Sequence, residues 1–315
     1  MSSSSISDSG FRSGIQPHDE LKKILTVEQL PAMPQSALTV LQIDNDLAKV
    51  NINDLVRPIE ADPGLVAQVL KFLNSSYFGF QSTISNVKQG IALVGIRVVK
   101  NFVLWKAVFS LIPKTKGAEF DVGGLWQDSL RRAMFARFLL TEFKRGDAEM
   151  AFAGALLQDM AIPMLLKLKP IEYGDLIARH RELEPSVRLS TLEDERFGWN
   201  HAQAGGILGR NWKLPHLLTL IIEEHTEIEE LTQSFDSNSE EASVAISALL
   251  PSDSKDDWAE ADLFVKYFKA MLPKKNGWIK NLFERVDREF DQYASIIQIG
   301  KPKKKLMDYI DKIDF

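Results

Sequence analysis

Two histidines and one aspartate in this 315-residue chain stand where polar side chains are hard to bury. Asp159 follows Gln158 within AFAGALLQDMAIPMLL, a stretch that is apolar on nearly every helical side. Its carboxylate therefore needs a charge partner, hydrogen bonds or a coordinated ion. Pro163 withdraws the amide that would bond the Asp159 carbonyl, which predicts a bend or a helix end at that point. A buried carboxylate at a kink is a candidate site residue, and equally a structural acceptor capping a neighbouring helix. His225 lies in LIIEEHTEIEE, one turn beyond Ile221, and so faces the interior that Leu217–Ile222 fill. His201 opens HAQAGGILGRNW. An imidazole in either place is a metal ligand or a hydrogen-bonded core residue, and the local pattern leaves both open.

Other chemistry is excluded more firmly. There is no GxxxxGK[ST] loop, no GxSxG elbow and no HExxH, and the chain has no cysteine for thiolate metal sites or thiol catalysis. Gly205, Gly206 and Gly209 superficially suggest a phosphate loop, but no strand precedes them. Helix-interior glycines cost about 1 kcal/mol each against alanine, so they read as points of close helix approach. A net charge of −5 argues against a general nucleic-acid or anionic-membrane binder. Lys301, Lys303, Lys304 and Lys305 form a small basic cluster, but Asp308, Asp311 and Asp314 follow at once, and the segment reads as solvated charge.

Helical periodicity must supply the scaffold. Val66, Val69, Leu70 and Leu73 share one helical face, with Asp62 as the expected N-cap and Pro63 at the first helical position. Pro34, Asn53, Ser85, Asn200 and Pro215 are expected to open further helices. No alternating run flanked by a hairpin dipeptide is present, so the expected class is all-α. The polar residues 1–17 read as a disordered tail lacking the apolar segment of a secretory signal. Residues 18–112 form a first helical lobe, and Pro113–Gly124 is a turn-rich break opening a second lobe over 113–232. A charged helical extension occupies 233–315. No apolar run approaches the roughly 20 residues that span a bilayer, and the expected location is the cytoplasm, without membrane contact.

In this order the residues resemble the HDOD family, the output-domain branch of the HD metal-dependent phosphohydrolase superfamily, over roughly residues 25–230. The first lobe carries LPAMPQSALTVLQ (Leu30–Gln42), ADPGLVAQVLKFLNSSYFG (Ala61–Gly79) and ISNVKQGIALVGIRVVKNFVL (Ile84–Leu104). The second carries LWQDSLRRAMFAR, AFAGALLQDMAIPML and FGWNHAQAGGILGRNWKLP followed by EEHTE. The resemblance implies two helical lobes, the second HD-like. Active HD hydrolases hold divalent metal on histidines and an aspartate from separate helices, and the metal activates water against a phosphate ester. The namesake His-Asp pair falls on Gln158-Asp159, and an earlier histidine position falls on Asp128. Later positions match at His201 and His225, the usual paired histidines being Glu224-His225 here. A glutamine oxygen donates weakly where an imidazole donates well, and Met160-Ala161 stands where a glycine usually follows the pair.

These departures imply a vestigial site at Asp128, Gln158, Asp159, His201 and His225, with no metal or other cofactor expected and no catalytic residue. The polar groups are instead expected to hydrogen-bond one another, with Gln158 donating to Asp159 or Asp128. The expected function is regulatory: binding a signalling protein partner, and as a second ligand class a nucleotide messenger. Asn74 and Ser75 match a family pair and either cap the following turn or line the inter-lobe surface. Tyr77, Phe78 and Phe80 fit a docking surface or the core equally well. The alternatives are a metal-dependent phosphohydrolase acting on a nucleotide or cyclic dinucleotide, and a nucleic-acid regulator using the lysine cluster.

Overall fold

The computed structural model describes residues 19–26, 28–43, 50–111, 120–183, 187–253, 257–272, 278–297 and 299–312. The expected tail at 1–17, and residues 113–119 of the expected break at 113–124, lie outside them. Among the described residues every regular element is helical, as the periodicity predicts.

The first lobe comprises α1 (Asp19–Ile24), α2 (Gln35–Leu41), α3 (Ile52–Glu60), α4 (Pro63–Leu73), α5 (Val87–Val94) and α6 (Ile96–Leu111). Asp62 accepts from the Leu65 amide at 3.0 Å and Pro63 occupies the first turn of α4, as expected. Two helix starts differ from the sequence reading. Asn51, not Asn53, caps α3 in a reciprocal box with Asp54, and Asn86, not Ser85, caps α5. In each case the asparagine with extended backbone is the one whose side chain can reach back to the first-turn amides.

The second lobe begins with α7 (Val122–Phe143), whose first turn contains Gly123 and Gly124. It continues through α8 (Ala148–Leu157), α9 (Ile162–Leu168), α10 (Pro170–Glu182), α11 (Leu189–Phe197), α12 (His201–Asn211), α13 (His216–Glu224) and α14 (Ile228–Gln233). Pro163 sits in the first turn of α9, so the apolar run breaks at residues 158–161 as its position requires. Asn200 caps α12 in a box with Gln203. The glycines of α12 do allow close approach: a Cβ at Gly205 or Gly209 would collide with Ile222 or Thr219 of α13.

The C-terminal helices α15 (Ser239–Ser247), α16 (Ala261–Met271) and α17 (Trp278–Ile297), with a 3₁₀ turn at Leu306–Lys312, complete the chain. α15 and α17 pack on α7, burying Val244, Ile246, Phe283, Val286 and Phe290. The extension thereby shares the core of the second lobe. Tyr77, Phe78 and Phe80 are half-buried; Phe78 meets Phe72 edge-on and Tyr77 meets Tyr293 of α17, so core packing accounts for these rings. The segment Ala148–Leu168 is long and apolar enough to cross a membrane by length and composition, but 89% of its apolar 18-residue window is buried inside the protein.

Candidate functional site

Three side chains converge from three elements. Asp159 comes from the break between α8 and α9, His201 is the first residue of α12, and His225 closes the C-terminal end of α13. All three are buried. His201 Nε2 lies 3.2 Å from His225 Nε2 and 3.4 Å from Asp159 Oδ1, and His225 Nε2 lies 3.5 Å from that same oxygen. The α12–α13 hairpin explains the encounter. Its helices run antiparallel, so the start of one meets the end of the other, and the glycine contacts bring the two ends together.

The outer ring nitrogens are anchored. Glu193 of α11 faces His201 Nδ1 at 2.5 Å and also accepts the His201 backbone amide at 3.0 Å. The Tyr173 hydroxyl donates to the other Glu193 oxygen. His225 Nδ1 faces the Ile222 carbonyl at 2.7 Å, and a carbonyl can only accept, so this nitrogen carries hydrogen. Both Nε2 atoms therefore turn toward each other and toward Asp159.

Such a set of inward acceptors needs a positive charge, and the chain supplies it. Arg132 of α7 donates from Nη1 to Asp159 Oδ2. Burial alone would raise the Asp159 carboxyl, but the Arg132 charge and hydrogen bonds from His201 and His225 hold it well below the usual carboxylate range. Burial opposes the charged form of His201, yet Glu193 and Asp159 outweigh that and push its imidazole up to about 10. His225 is lowered, by burial first and by the neighbouring His201 charge. The favoured state at neutral pH is an imidazolium at His201, a neutral acceptor at His225, and a carboxylate gripped by a guanidinium.

Two expected site residues behave otherwise. Asp128 borders the same cavity but is spent on the C-terminal segment: it pairs with Arg131 at 2.7 Å, and accepts from Ser252 Oγ at 2.5 Å and the Asp253 amide at 2.9 Å. Arg131 is 2% exposed and needs that counter-charge; it also donates to the carbonyls of Pro251 and Lys304. Gln158 joins no network. It is fully buried and neither of its amide atoms has a hydrogen-bond partner, which corrects the expectation that it donates to Asp159 or Asp128. The break after α8 turns Asp159, and not Gln158, into the cavity.

Asn74 clamps the loop after α4, donating to the carbonyls of Leu70 and Ile84 and accepting from the Ile84 amide at 2.7 Å. Ser75 is half-buried and its hydroxyl has no partner. Neither residue borders the cavity beside the cluster. Sequence reasoning missed Arg132, Glu193 and Tyr173. The available signal for Arg132 was its position one turn after Asp128 on a helix otherwise rich in apolar residues. Glu193, in TLEDERF, looks like one charge among many.

The donor set can be tested against a divalent metal. One atom each from Asp159, His201 and His225 lies within 4.8 Å of the others, close enough to share an ion, and the anchored Nδ1 atoms are what metal-binding imidazoles require. The surroundings work against it. Arg132 already meets the carboxylate, Asp128 is taken up by Arg131, Ser252 and Asp253, and Gln158 does not line the cavity. Three ligand atoms are thus placed to share an ion, and Arg132 competes with that ion for the carboxylate.

The cluster borders a cavity of about 150 Å³, whose walls include Phe120, Ile177, Leu250 and Trp258 as well as Arg132, Ser190 and Glu260. The C-terminal extension thus forms part of its wall.

Comparison with known proteins agrees with this architecture. The HDOD domain model matches residues 30–228. An uncharacterised protein of Treponema pallidum (strain Nichols) is 25% identical over 211 residues, 63% of this chain but 38% of that protein. A candidate signal transduction protein from Marinobacter aquaeolei VT8 superposes with a TM-score of 0.69 at 19% identity, covering 91% of this chain and 62% of that one. This chain therefore spans less than two thirds of the length of both proteins. A candidate phosphohydrolase from Shewanella amazonensis SB2B gives 0.66 at 18% identity, covering 89% of this chain and 98% of that one. An HDOD domain protein of unknown function from Geobacter sulfurreducens gives 0.65 at 20% identity, covering 86% and 93%. Identities this low carry the fold alone. The sequence model is the stronger finding, because it spans well over half the residues and contains both imidazoles and the aspartate of the cluster: the chain belongs to the HDOD family.

Proposed function

We propose that this chain is a non-catalytic signalling module that acts by associating with a protein partner, its HD-like cluster retained as structure. The observation that carries the reading is the Arg132–Asp159 ion pair, which places a fixed organic cation on the carboxylate that a catalytic metal would need. The diversion of Asp128 to Arg131, Ser252 and Asp253 supports it, since that carboxylate is then not free to complete a ligand set. Without a metal there is no lowered water pKa and no Lewis acid to polarise a phosphoryl oxygen. The family membership and the signalling description of the Marinobacter protein are consistent with a regulatory role.

One observation favours the rival reading, a metal-dependent phosphohydrolase: three ligand atoms already converge beside a cavity. Elemental analysis after purification without chelator, joined to a phosphodiesterase assay with Mn²⁺ on linear and cyclic dinucleotides, separates the two. The expected result is no stoichiometric metal and no turnover. A tightly held dication, with hydrolysis that disappears in Asp159→Ala, would establish the enzyme instead.

A further inference from the structure

The first lobe and the C-terminal helix α17 meet at one side chain of the second lobe, Arg137 of α7. Its side chain is 11% exposed, and its guanidinium lies 4.8 Å from the centre of the Phe152 ring and 5.0 Å from that of Phe138. A charge buried that far needs direct acceptors. Yet its one hydrogen bond among the described residues runs from Nη2 to the Tyr77 hydroxyl, at 3.1 Å. Glu149 Oε1 stands 3.8 Å from Nη1 and Glu289 Oε2 stands 3.9 Å from Nη2, both beyond hydrogen-bond reach. Tyr77 comes from the loop between α4 and α5, and its hydroxyl donates onward to Glu289 of α17 at 3.3 Å. Burial raises that hydroxyl, which so keeps the proton it donates.

We propose that Tyr77 is a releasable pin between the first lobe and the C-terminal extension, with Arg137 as the socket it leaves. Two carboxylates make the release possible. Glu149 gives Oε2 to Asn101 and keeps Oε1 free of hydrogen bonds, and the hydrogen bond to Glu289 Oε2 comes from Tyr77 itself. Once the hydroxyl departs, a shift of about 1 Å lets the guanidinium bond either carboxylate directly, with charge on both sides of the bond. The withdrawn state therefore leaves no unpaired buried charge, and the two arrangements lie close in free energy, as a switch requires.

The elements on either side can follow the pin. Asn74 ties the Leu70 carbonyl to both backbone groups of Ile84, so the α4–α5 loop is closed on itself and shifts as a unit. On the other side, Tyr293 of α17 meets Tyr77 and Phe72 edge-on, with ring centres 5.1 and 5.7 Å apart. Whatever draws the loop outward thus frees α17 from the first lobe. Since α17 lies beyond the residues that match the family model, the interlock belongs to this chain's own extension. The coupling goes beyond partner binding and is independent of whether the histidine cluster holds a metal.

Hydrogen exchange of the full chain, wild type against Tyr77→Phe, tests the pin. The substitution removes one hydroxyl and keeps the ring among its aromatic neighbours. Amides of residues 75–84 and of α17 should both exchange about tenfold faster, with α8, α12 and the urea midpoint unchanged. Wild-type protection in α17 would overturn the coupling. Faster exchange in every helix, with a lower midpoint, would make the hydroxyl an ordinary core contact and overturn it equally. Glu149→Gln keeps an acceptor for Asn101 but removes charge on which Arg137 falls back. Combined with Tyr77→Phe, it should make the folding equilibrium about tenfold less favourable than the two single changes predict together. Additive losses would show that the fallback does not exist, and the proposal would fail.

Discussion

Arg132 grips one oxygen of Asp159, and the other oxygen of that carboxylate lies 3.4 Å from His201 Nε2 and 3.5 Å from His225 Nε2. Removing the guanidinium alone leaves a buried carboxylate short of counter-charge. Arg132→Met should therefore lose about 3–5 kcal/mol of stability, and adding Asp159→Asn should restore most of it. Urea denaturation of the wild type, both single variants and the double variant measures the coupling. Additive losses would contradict the pairing.

The same guanidinium competes with any dication for Asp159. In Arg132→Ala the affinity of the cluster for Zn²⁺ should rise by about tenfold or more, since a like charge is removed from the immediate surroundings. Calorimetry with Zn²⁺ on both proteins decides it. Equal affinities would show that Arg132 does not compete with metal.

Gln158 buries two amide atoms without partners. Gln158→Met keeps the volume and removes both, so stability should rise by about 1–2 kcal/mol. A comparable loss on chemical denaturation would mean that the amide is bonded in solution.

Stability should also vary with pH through His201. Its imidazole rises from 6.5 to about 10 on folding, so between those values the folded chain holds a proton that the unfolded chain has released. The contribution is complete below pH 6.5 and is lost progressively as pH climbs toward about 10. In chelator-treated protein, His201→Gln should flatten this decline in the urea midpoint. An unchanged slope would place the proton elsewhere.

Arg131 donates to Pro251 and Lys304 carbonyls while pairing with Asp128. Arg131→Ala should loosen both C-terminal segments, at a loss of about 3 kcal/mol or more for the broken buried pair. Limited proteolysis should then cut within residues 299–312 before the helical core. Protection equal to the wild type would show that the segment is held by its apolar anchors, Leu306 and Tyr309, instead.

Much of the scaffold was legible because its signals are local. Asp62 with Pro63, Asn200 with Gln203, and Pro163 each act within one helical turn, and each does what its chemistry requires. The near misses at Asn51 and Asn86 have the same origin, since neighbouring polar residues compete for one cap and backbone conformation decides between them. Asp159, His201 and His225 stood out as polar residues on apolar helices. Arg132 and Glu193 did not, because their roles depend on partners 27 and 8 residues away in the chain. The diversion of Asp128 was equally hidden, since Ser252 and Asp253 lie beyond the matched segment.

The glycine seam between α12 and α13 has a consequence for how such a site changes over time. Collisions with Ile222 and Thr219 would follow from any larger residue at Gly205 or Gly209, so the seating of these two β-branched side chains on the bare α12 backbone sets how far apart the two imidazoles stand. The hairpin is a caliper whose jaws stay at one opening whatever is, or is not, clamped between them. Ligand positions can then be exchanged one at a time without the helices drifting, and a mutation that widens the seam should disturb His201 and His225 together even though it touches neither.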